Sequence, residues 1–266
     1  MPLISVVTAA YAPSAKYLAE TIASVLGQET PDGWEIEHLI QEDGGSPRLR
    51  EQVEALDERI AYDSNDAQLG VAITRNIALT RARGEIVQLI DHDDLLLPGA
   101  FMRMVPKFLE LPVHWAIGQA DDLLTDGSRR AYPPALPFGL VDRGVVNEWA
   151  IRHDGNWPLH CAAMMARTNT LRALGGWAAS PSDDDIALFA AVFDLTIGYQ
   201  EEKLTWLYRQ HENQAHRGAQ WRKFSRDGRQ FAVQRVHALR ALGLSVNSTI
   251  EISAPVNYFP AASIKD

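Results

Sequence analysis

Asp91-His92-Asp93-Asp94 places three carboxylates and an imidazole within four residues. Acids this close repel one another unless something positive sits among them. Carboxylate oxygens suit Mg²⁺ or Mn²⁺, ions that commonly also hold substrate phosphates. The plain alternative is a solvated turn before a helix, with Pro98 near the helix start. A second acidic run, Asp183-Asp184-Asp185, opens the apolar stretch Ile186 to Phe193. Helix N-termini favour acids in any case, so that run admits an ordinary reading too. A third, Glu42-Asp43, closes an apolar run and is followed by the turn formers Gly44-Gly45-Ser46-Pro47.

These acids need elements to hold them. Leu3 to Thr8, Glu35 to Gln41, Arg59 to Tyr62 and Ile86 to Ile90 read as strands, apolar or β-branched and short. Leu18, Ile22, Val25 and Leu26 share one helical face, and Pro31-Asp32-Gly33 breaks the chain after it. Arg48 to Asp57 reads as helical. Leu69 to Leu79 opens a helix that stops near Gly84, and Leu97 to Leu109 opens another with Phe101, Met104, Val105, Phe108 and Leu109 on one face. Strand and helix thus alternate four times over the first 110 residues, which predicts a parallel sheet covered on both faces. Ligands bind such sheets beyond the carboxyl ends of the strands. Thr8, Asp43 and Asp91 all fall at predicted strand ends, so one crevice can collect them.

The second half reads differently. Trp115 to Gly118 predicts a strand, and Asp121-Asp122 starts a hairpin turning at Asp126-Gly127. Tyr132 to Pro137 is a Pro-rich loop, Val145 to Arg152 a short helix, and residues 153–160 an irregular polar stretch. Cys161 to Ala166 reads as a strand, as do Leu195 to Tyr199 and Leu204 to Tyr208. Ala219 to Leu242 predicts one long helix with Arg and Gln on its wet face; the last twenty residues carry little signal.

Length and composition bound the rest. With 266 residues, 46% hydrophobic and 22% charged, the chain can bury a sizeable core in one large α/β domain. A formal charge of −9 argues against nonspecific binding to nucleic acid or anionic membrane. It does not exclude an anionic substrate, because a metal can offset local charge. The single Cys161 forbids an intramolecular disulfide and points to a reducing compartment. The N-terminus lacks a signal-peptide pattern, and no run approaches the roughly 20 apolar residues of a membrane span. The expectation is a cytoplasmic protein with no transmembrane segment. No internal repeat or low-complexity tract is present.

Four motifs occur in order in the first half: Ser5-Val6-Val7-Thr8-Ala9-Ala10-Tyr11, Gln41-Glu42-Asp43-Gly44-Gly45-Ser46, Gly70-Val71-Ala72-Ile73-Thr74-Arg75-Asn76 and Asp91-His92-Asp93-Asp94. Gly175-Gly176-Trp177, Asp183-Asp184-Asp185 and Tyr208-Arg209-Gln210-His211 follow. Together they resemble the motif series of the inverting family 2 glycosyltransferases, over about residues 3–215. Each motif is weak alone; seven in order at compatible spacing are specific.

The resemblance implies a GT-A fold: a Rossmann-like, mostly parallel central sheet with helices on both faces, a smaller mixed acceptor-side region and a C-terminal helix. It implies a catalytic domain over 1–215, with a nucleotide-binding half (1–110) and an acceptor-side half (111–215), and a helical extension over 216–266. The implied activity is metal-dependent, inverting transfer of a sugar from a pyrimidine nucleotide diphosphate, UDP in preference to dTDP, to a small-molecule or glycan acceptor. Such a transfer needs the leaving diphosphate neutralised and an acceptor hydroxyl deprotonated.

The same resemblance assigns roles. Asp43 would accept the imide N–H of the base, an apt pairing because a carboxylate only accepts; an Asx turn or a cap before Arg48 is its ordinary alternative. Glu42 receives no role. Thr8, Ala10 and Tyr11 would line the base and ribose pocket, Arg75 would help hold the nucleotide, and Gly70 would permit close backbone approach. Asp91 would meet the ribose. His92, at a variable position, is grouped with the nucleotide side with no role of its own. Asp93 and His211 would hold Mn²⁺ or Mg²⁺, while Asp94 would orient the neighbouring loop and cap the next helix. Asp185 is the expected base, with Asp184 one residue away as the alternative; Ala187 departs from the family's second aspartate. A helix start would lower the base's pKa. Trp177 would floor a sugar or acceptor pocket, with Trp157 and His160 on the acceptor side. Cys161 reads as inert packing. The long C-terminal helix could pair with a copy of itself to form a homodimer.

Two rivals remain. A nucleotidyltransferase of this fold would open with a glycine-rich basic loop, and Ala9-Ala10-Tyr11-Ala12-Pro13 has neither glycine nor a basic residue. A catalytically silent nucleotide-binding module would not need Asp93, Asp185 and His211.

Overall fold

The computed structural model describes residues 1–180 and 182–246. Its first part runs β1 (Leu3–Ala10), a 3₁₀ turn (Ala12–Tyr17), α1 (Leu18–Leu26), β2 (Glu35–Glu42), α2 (Arg50–Val53), β3 (Ile60–Ser64), α3 (Val71–Arg81), β4 (Ile86–Leu89), β5 (Leu95–Leu96) and α4 (Ala100–Glu110). The second part runs β6 (Trp115–Leu123), β7 (Arg129–Ala131), β8 (Gly139–Val141), α5 (Val145–Arg152), β9 (Met164–Arg167), α6 (Thr168–Ala173), α7 (Asp184–Leu195), β10 (Gly198–Arg209) and α8 (Ala219–Ala241).

The strands form a single sheet ordered β3-β2-β1-β4-β9-β6-β10-β5, with β7 on β6 and β8 on β10. From β3 to β4 all pairs are parallel. Beyond β4 the pairing is mixed: β9 is antiparallel to both β4 and β6, and β10 is parallel to β6. The apolar character of β1 and β2 follows from coverage of both faces. One face packs Leu18, Ile22 and Ile40 with Leu49, Val53 and Tyr62; the other joins Leu39, Ala78, Leu79 and Leu89 to the main core. Each buried Leu or Ile contributes about 1.5–3 kcal/mol. That core runs unbroken from Ile4 in β1 to Val236 in α8.

Several expectations need correcting. The helix expected over Arg48 to Asp57 contracts to the four residues of α2, because Glu42 captures the backbone N–H of Arg48 and Leu49 and holds that segment as a turn. Helix α4 starts at Ala100 rather than Leu97, because the Leu97 N–H still bonds the Thr205 carbonyl at 2.8 Å and Gly99 adopts a left-handed φ of +78°. Leu109 is 53% exposed and lies off the buried face of α4. The expected strand from Cys161 begins as a 3₁₀ turn over Cys161–Ala163. The two strands expected between Leu195 and Tyr208 are one, β10, whose register against β6 shifts between Gln200 and Trp206. Helix α8 is tied into the core through fully buried Ala232 and Val236. Residues 247–266 of the expected C-terminal extension lie outside the described residues.

Candidate active site

The parallel register brings the carboxyl ends of β1, β2 and β4 to one edge: Ala10 pairs with Glu42, and Val7 with Leu89. Asp43 follows β2 directly, and Asp91 follows β4 after Ile90. Two corners form there.

At the first corner, Asp43 is buried and its carboxylate is anchored. Its Oδ1 accepts the Leu69 N–H at 2.7 Å and the Asn65 Nδ2 at 3.2 Å, and its Oδ2 accepts the Gly70 N–H at 3.0 Å. A carboxylate offers about four acceptor positions, so one remains for an outside donor. Gly70 precedes the first turn of α3 at φ +88° and ψ +159°, a region essentially restricted to glycine. An added side-chain carbon there meets nothing within 4 Å. The backbone angle, rather than a close neighbour in the protein, requires the glycine. Ala10 is buried, and its carbonyl accepts the Asp43 N–H at 2.7 Å; Tyr11 stands at the rim, 36% exposed. Thr8 does not line a pocket: it is fully buried, and its hydroxyl meets His38 Nε2 at 3.0 Å. Burial holds that His38 imidazole down to about 3, hence neutral.

At the second corner, Arg75 of α3 gathers three carboxylates. Its Nη2 donates to Asp91 Oδ1 at 2.5 Å, while Nη1 donates to Asp184 Oδ2 at 3.0 Å and to Asp185 Oδ1. The guanidinium is buried, so it is not a surface arginine with a single acid. The Trp177 ring lies 5.8 Å from it. Burial, then the charge of Asp185, pushes the Asp184 carboxyl up to about 8, although Arg75 opposes this. The expected lowering by the helix start is overridden at Asp184, because loss of water costs the charged form more than the helix end returns. Burial also lifts Asp183 to about 6. Of the two candidate bases, Asp185 has the more open side chain, 27% exposed against 17% for Asp184.

Between the corners, Asp93 Oδ2 and His211 Nε2 lie 2.7 Å apart. His211 arrives from the end of β10, where Arg209 ties the two loops together. The Arg209 N–H donates to Asp94 Oδ1 at 2.9 Å and its Nε to the Asp93 carbonyl at 2.7 Å; its guanidinium sits 4.0 Å from the Tyr17 ring. Asp94 therefore orients this loop but caps no helix: the N-cap of α4 is Gly99, which supplies no side-chain cap. Burial, then the charges of Asp93 and Asp91, holds the Asp94 carboxyl well above its ordinary range. His92 turns away to Ser14 Oγ at 3.0 Å. No cluster of three His, Cys, Asp or Glu groups suited to a metal occurs among the described residues.

The acceptor-side expectations divide. Trp177 is only 2% exposed, and Trp157 is buried with its Nε1 donating to Asn147 Oδ1 at 2.9 Å. Both are core residues and present no open face. Apolar packing claims them, as it does most large aromatics. His160 does join a wall, with its ring 4.8 Å from Tyr208 and 5.3 Å from Tyr132. Burial lowers its pKa. Cys161 is buried beside the cluster, and burial raises its thiol pKa.

Three structural roles went unread in the sequence. Glu42 also accepts the Tyr62 hydroxyl at 2.5 Å. Asn76 grips Trp177 through both backbone groups, at 2.8 and 3.0 Å, and a side-chain carbon on Gly176 would collide with its amide. Arg209 is the loop tie described above. Asn76 and Arg209 flank residues singled out in the sequence, and that adjacency was the available signal.

Several known proteins resemble this chain. The sequence model of glycosyl transferase family 2 matches residues 5–165. An uncharacterised glycosyltransferase of Methanocaldococcus jannaschii is 35% identical over 113 residues, covering 41% of this chain and 38% of that protein. A putative teichuronic acid biosynthesis glycosyltransferase of Bacillus subtilis is 38% identical over 96 residues, covering 35% of this chain and 36% of that protein. The chain thus matches well under half the length of these relatives. The crystal structure of S. aureus TarS residues 1–349 in complex with UDP-GlcNAc superposes with a TM-score of 0.66 at 17% identity, over 82% of this chain and 61% of that one. That likeness shows a shared fold.

Proposed function

The chain belongs to glycosyl transferase family 2, and from that premise we propose that it moves a sugar from a pyrimidine nucleotide diphosphate, UDP before dTDP, to an acceptor hydroxyl with inversion. The observation that carries this reading is the set of polar groups gathered around the carboxyl ends of the strands: Asp43 with a free acceptor position, the Asp93–His211 pair, and Asp185 held on Arg75. The UDP-GlcNAc complex of the TarS neighbour supports the choice of donor class.

Asp43 accepts the imide N–H of the base. Asp93 and His211 offer an oxygen and an imidazole nitrogen, a fitting protein share for Mn²⁺ or Mg²⁺, ions that complete their shell with water and substrate phosphates. When bound, such an ion offsets the charge gathering on the leaving diphosphate. Asp185, oriented by Arg75, takes the acceptor proton as the acceptor oxygen bonds to the anomeric carbon and the bond to the diphosphate breaks. Asp184 is the more enclosed of the two side chains, which favours Asp185 as the group that meets the acceptor.

Thermal shift with UDP and dTDP, each with and without Mn²⁺, tests the donor side. UDP should stabilise the protein more with Mn²⁺ present, and Asp93→Ala should erase that increment. An equal UDP shift with and without Mn²⁺ in the parent protein would sink the metal reading. Asp185→Asn should keep the UDP shift and lose transfer; full transfer would move the base elsewhere.

A further inference from the structure

The chain carries a net charge of −9, yet residues 209–229 hold six Arg or Lys against two acids, Glu212 and Asp227. Most of these cations are free of carboxylates. Arg229 and Arg240 of α8 have partners, in Asp183 and in Asp194 with Glu148. Arg217, Arg222, Lys223 and Arg226 are exposed and have no carboxylate within 4.0 Å among the described residues. Arg222 and Arg226 stand four apart on α8, and Arg229 continues the same stripe three residues on, about 10 Å from Arg222.

The ends of this strip meet the active site. At one end, Arg217 Nη2 donates to Gln210 Oε1 at 3.0 Å, next to His211. There His216 Nδ1 lies 3.4 Å from the Tyr208 hydroxyl, and so adjoins the aromatic wall that includes His160. At the other end, Arg229 Nε stands 3.9 Å from Asp183 Oδ2, one residue before Asp184 and Asp185. Asp43 at the base corner holds Gly70 at the start of α3, Arg75 of α3 holds Asp184, and Asp183 beside it meets Arg229 of the strip.

We propose that this strip binds the acceptor, and that the acceptor is an anion carrying phosphate or carboxylate groups near the hydroxyl that is glycosylated. The inference rests on the glycosyltransferase reading above and names the chemistry of its second substrate. Arginine pairs with both groups through parallel N–H bonds. A cationic strip on an acidic protein also gathers anions to one place. A membrane surface is the less fitting partner: Trp221 and Phe224 are half-buried, and Phe231, 49% exposed, is a single apolar side chain beside the basic turns where an interfacial helix inserts a whole apolar face.

The test measures binding of trigalacturonate, of a short glycerol-phosphate oligomer and of neutral maltotriose by calorimetry, at low and high salt, with UDP binding recorded in parallel. One or both anionic probes should bind, weaken with salt and bind about tenfold or more weakly to Arg222→Glu/Arg226→Glu. Which of them binds decides between carboxylate and phosphate. UDP binding by that variant should equal the parent's, showing that the fold and donor pocket are intact. Equal binding of maltotriose, or anion binding unmoved by the charge reversal, would overturn the proposal. So would failure of both anionic probes while the parent protein sediments with phosphatidylglycerol vesicles and the variant does not; the strip would then serve a membrane. Absence of UDP binding by the parent would overturn the donor reading instead, and the strip would lose its role as an acceptor site.

Discussion

Around Asp43, one carboxylate is held by three neutral N–H groups, from Leu69, Gly70 and Asn65; around Arg75, three carboxylates share one guanidinium. Two of the three donors at Asp43 are backbone amides. Their positions come from the chain path, and a side-chain substitution elsewhere leaves them in place. The Arg75 corner depends on a single side chain that joins the end of β4 to the start of α7. The first arrangement suits a pocket that reads a fixed shape. The second suits a centre where charge must be balanced and a proton taken up.

The largest expected effect tests that dependence. Arg75→Met should destabilise the protein by about 3–5 kcal/mol, the usual cost of leaving buried charge without its partner. Arg75→Lys should restore little, because an ammonium cannot span three carboxylates in one plane. Denaturant unfolding of both variants checks this, and an unchanged midpoint in Arg75→Met would show that the acids do not need the cation. A smaller effect is expected at the other corner. Gly70→Ala should cost about 1–3 kcal/mol from backbone strain alone, since the added methyl has room. UDP binding should weaken with it as the Gly70 N–H moves off Asp43, and a stable variant with normal UDP affinity would separate the two. The last effect is read as a slope against pH and concerns Asp184. Its carboxyl titrates at about 8 in the folded state against an ordinary 3.8, so the folded state binds the proton more tightly. This group's contribution is therefore fully present below about pH 4 and is lost as pH rises through about 8. Asp184→Asn should flatten the fall in Tm between about pH 5 and about pH 8; an unaltered slope would assign it to another group.

The first half of the fold was readable because its signals are local. β1 and β4 carry apolar runs that two covered faces demand, and the alternation of strands with helices leaves few ways to connect them. The second half was less so. Whether the Leu195 to Tyr208 region is one strand or two depends on its register with β6 and β8, partners far away in sequence. The contraction of α2 was hidden for a similar reason, as it turns on Glu42 and Tyr62. Among the site residues, Asp43, Asp91, Asp93, Asp185 and His211 stood out by type and place. Thr8, Trp157 and Trp177 did so as well, yet all three are claimed by the core.

By itself, then, the amino-acid order determined the α/β class, the strand ends at which acids emerge and the family to which the chain belongs. These follow from hydrophobic period, turn chemistry and motif order, all properties of neighbours along the chain. Only the tertiary structure decided how the acids are neutralised. Arg75 meets Asp184 and Asp185 across more than 100 positions, and Asp93 meets His211 across 118. A charge has no sequence signature for its distant partner; burial and distance set that choice, and both exist only once the chain has folded.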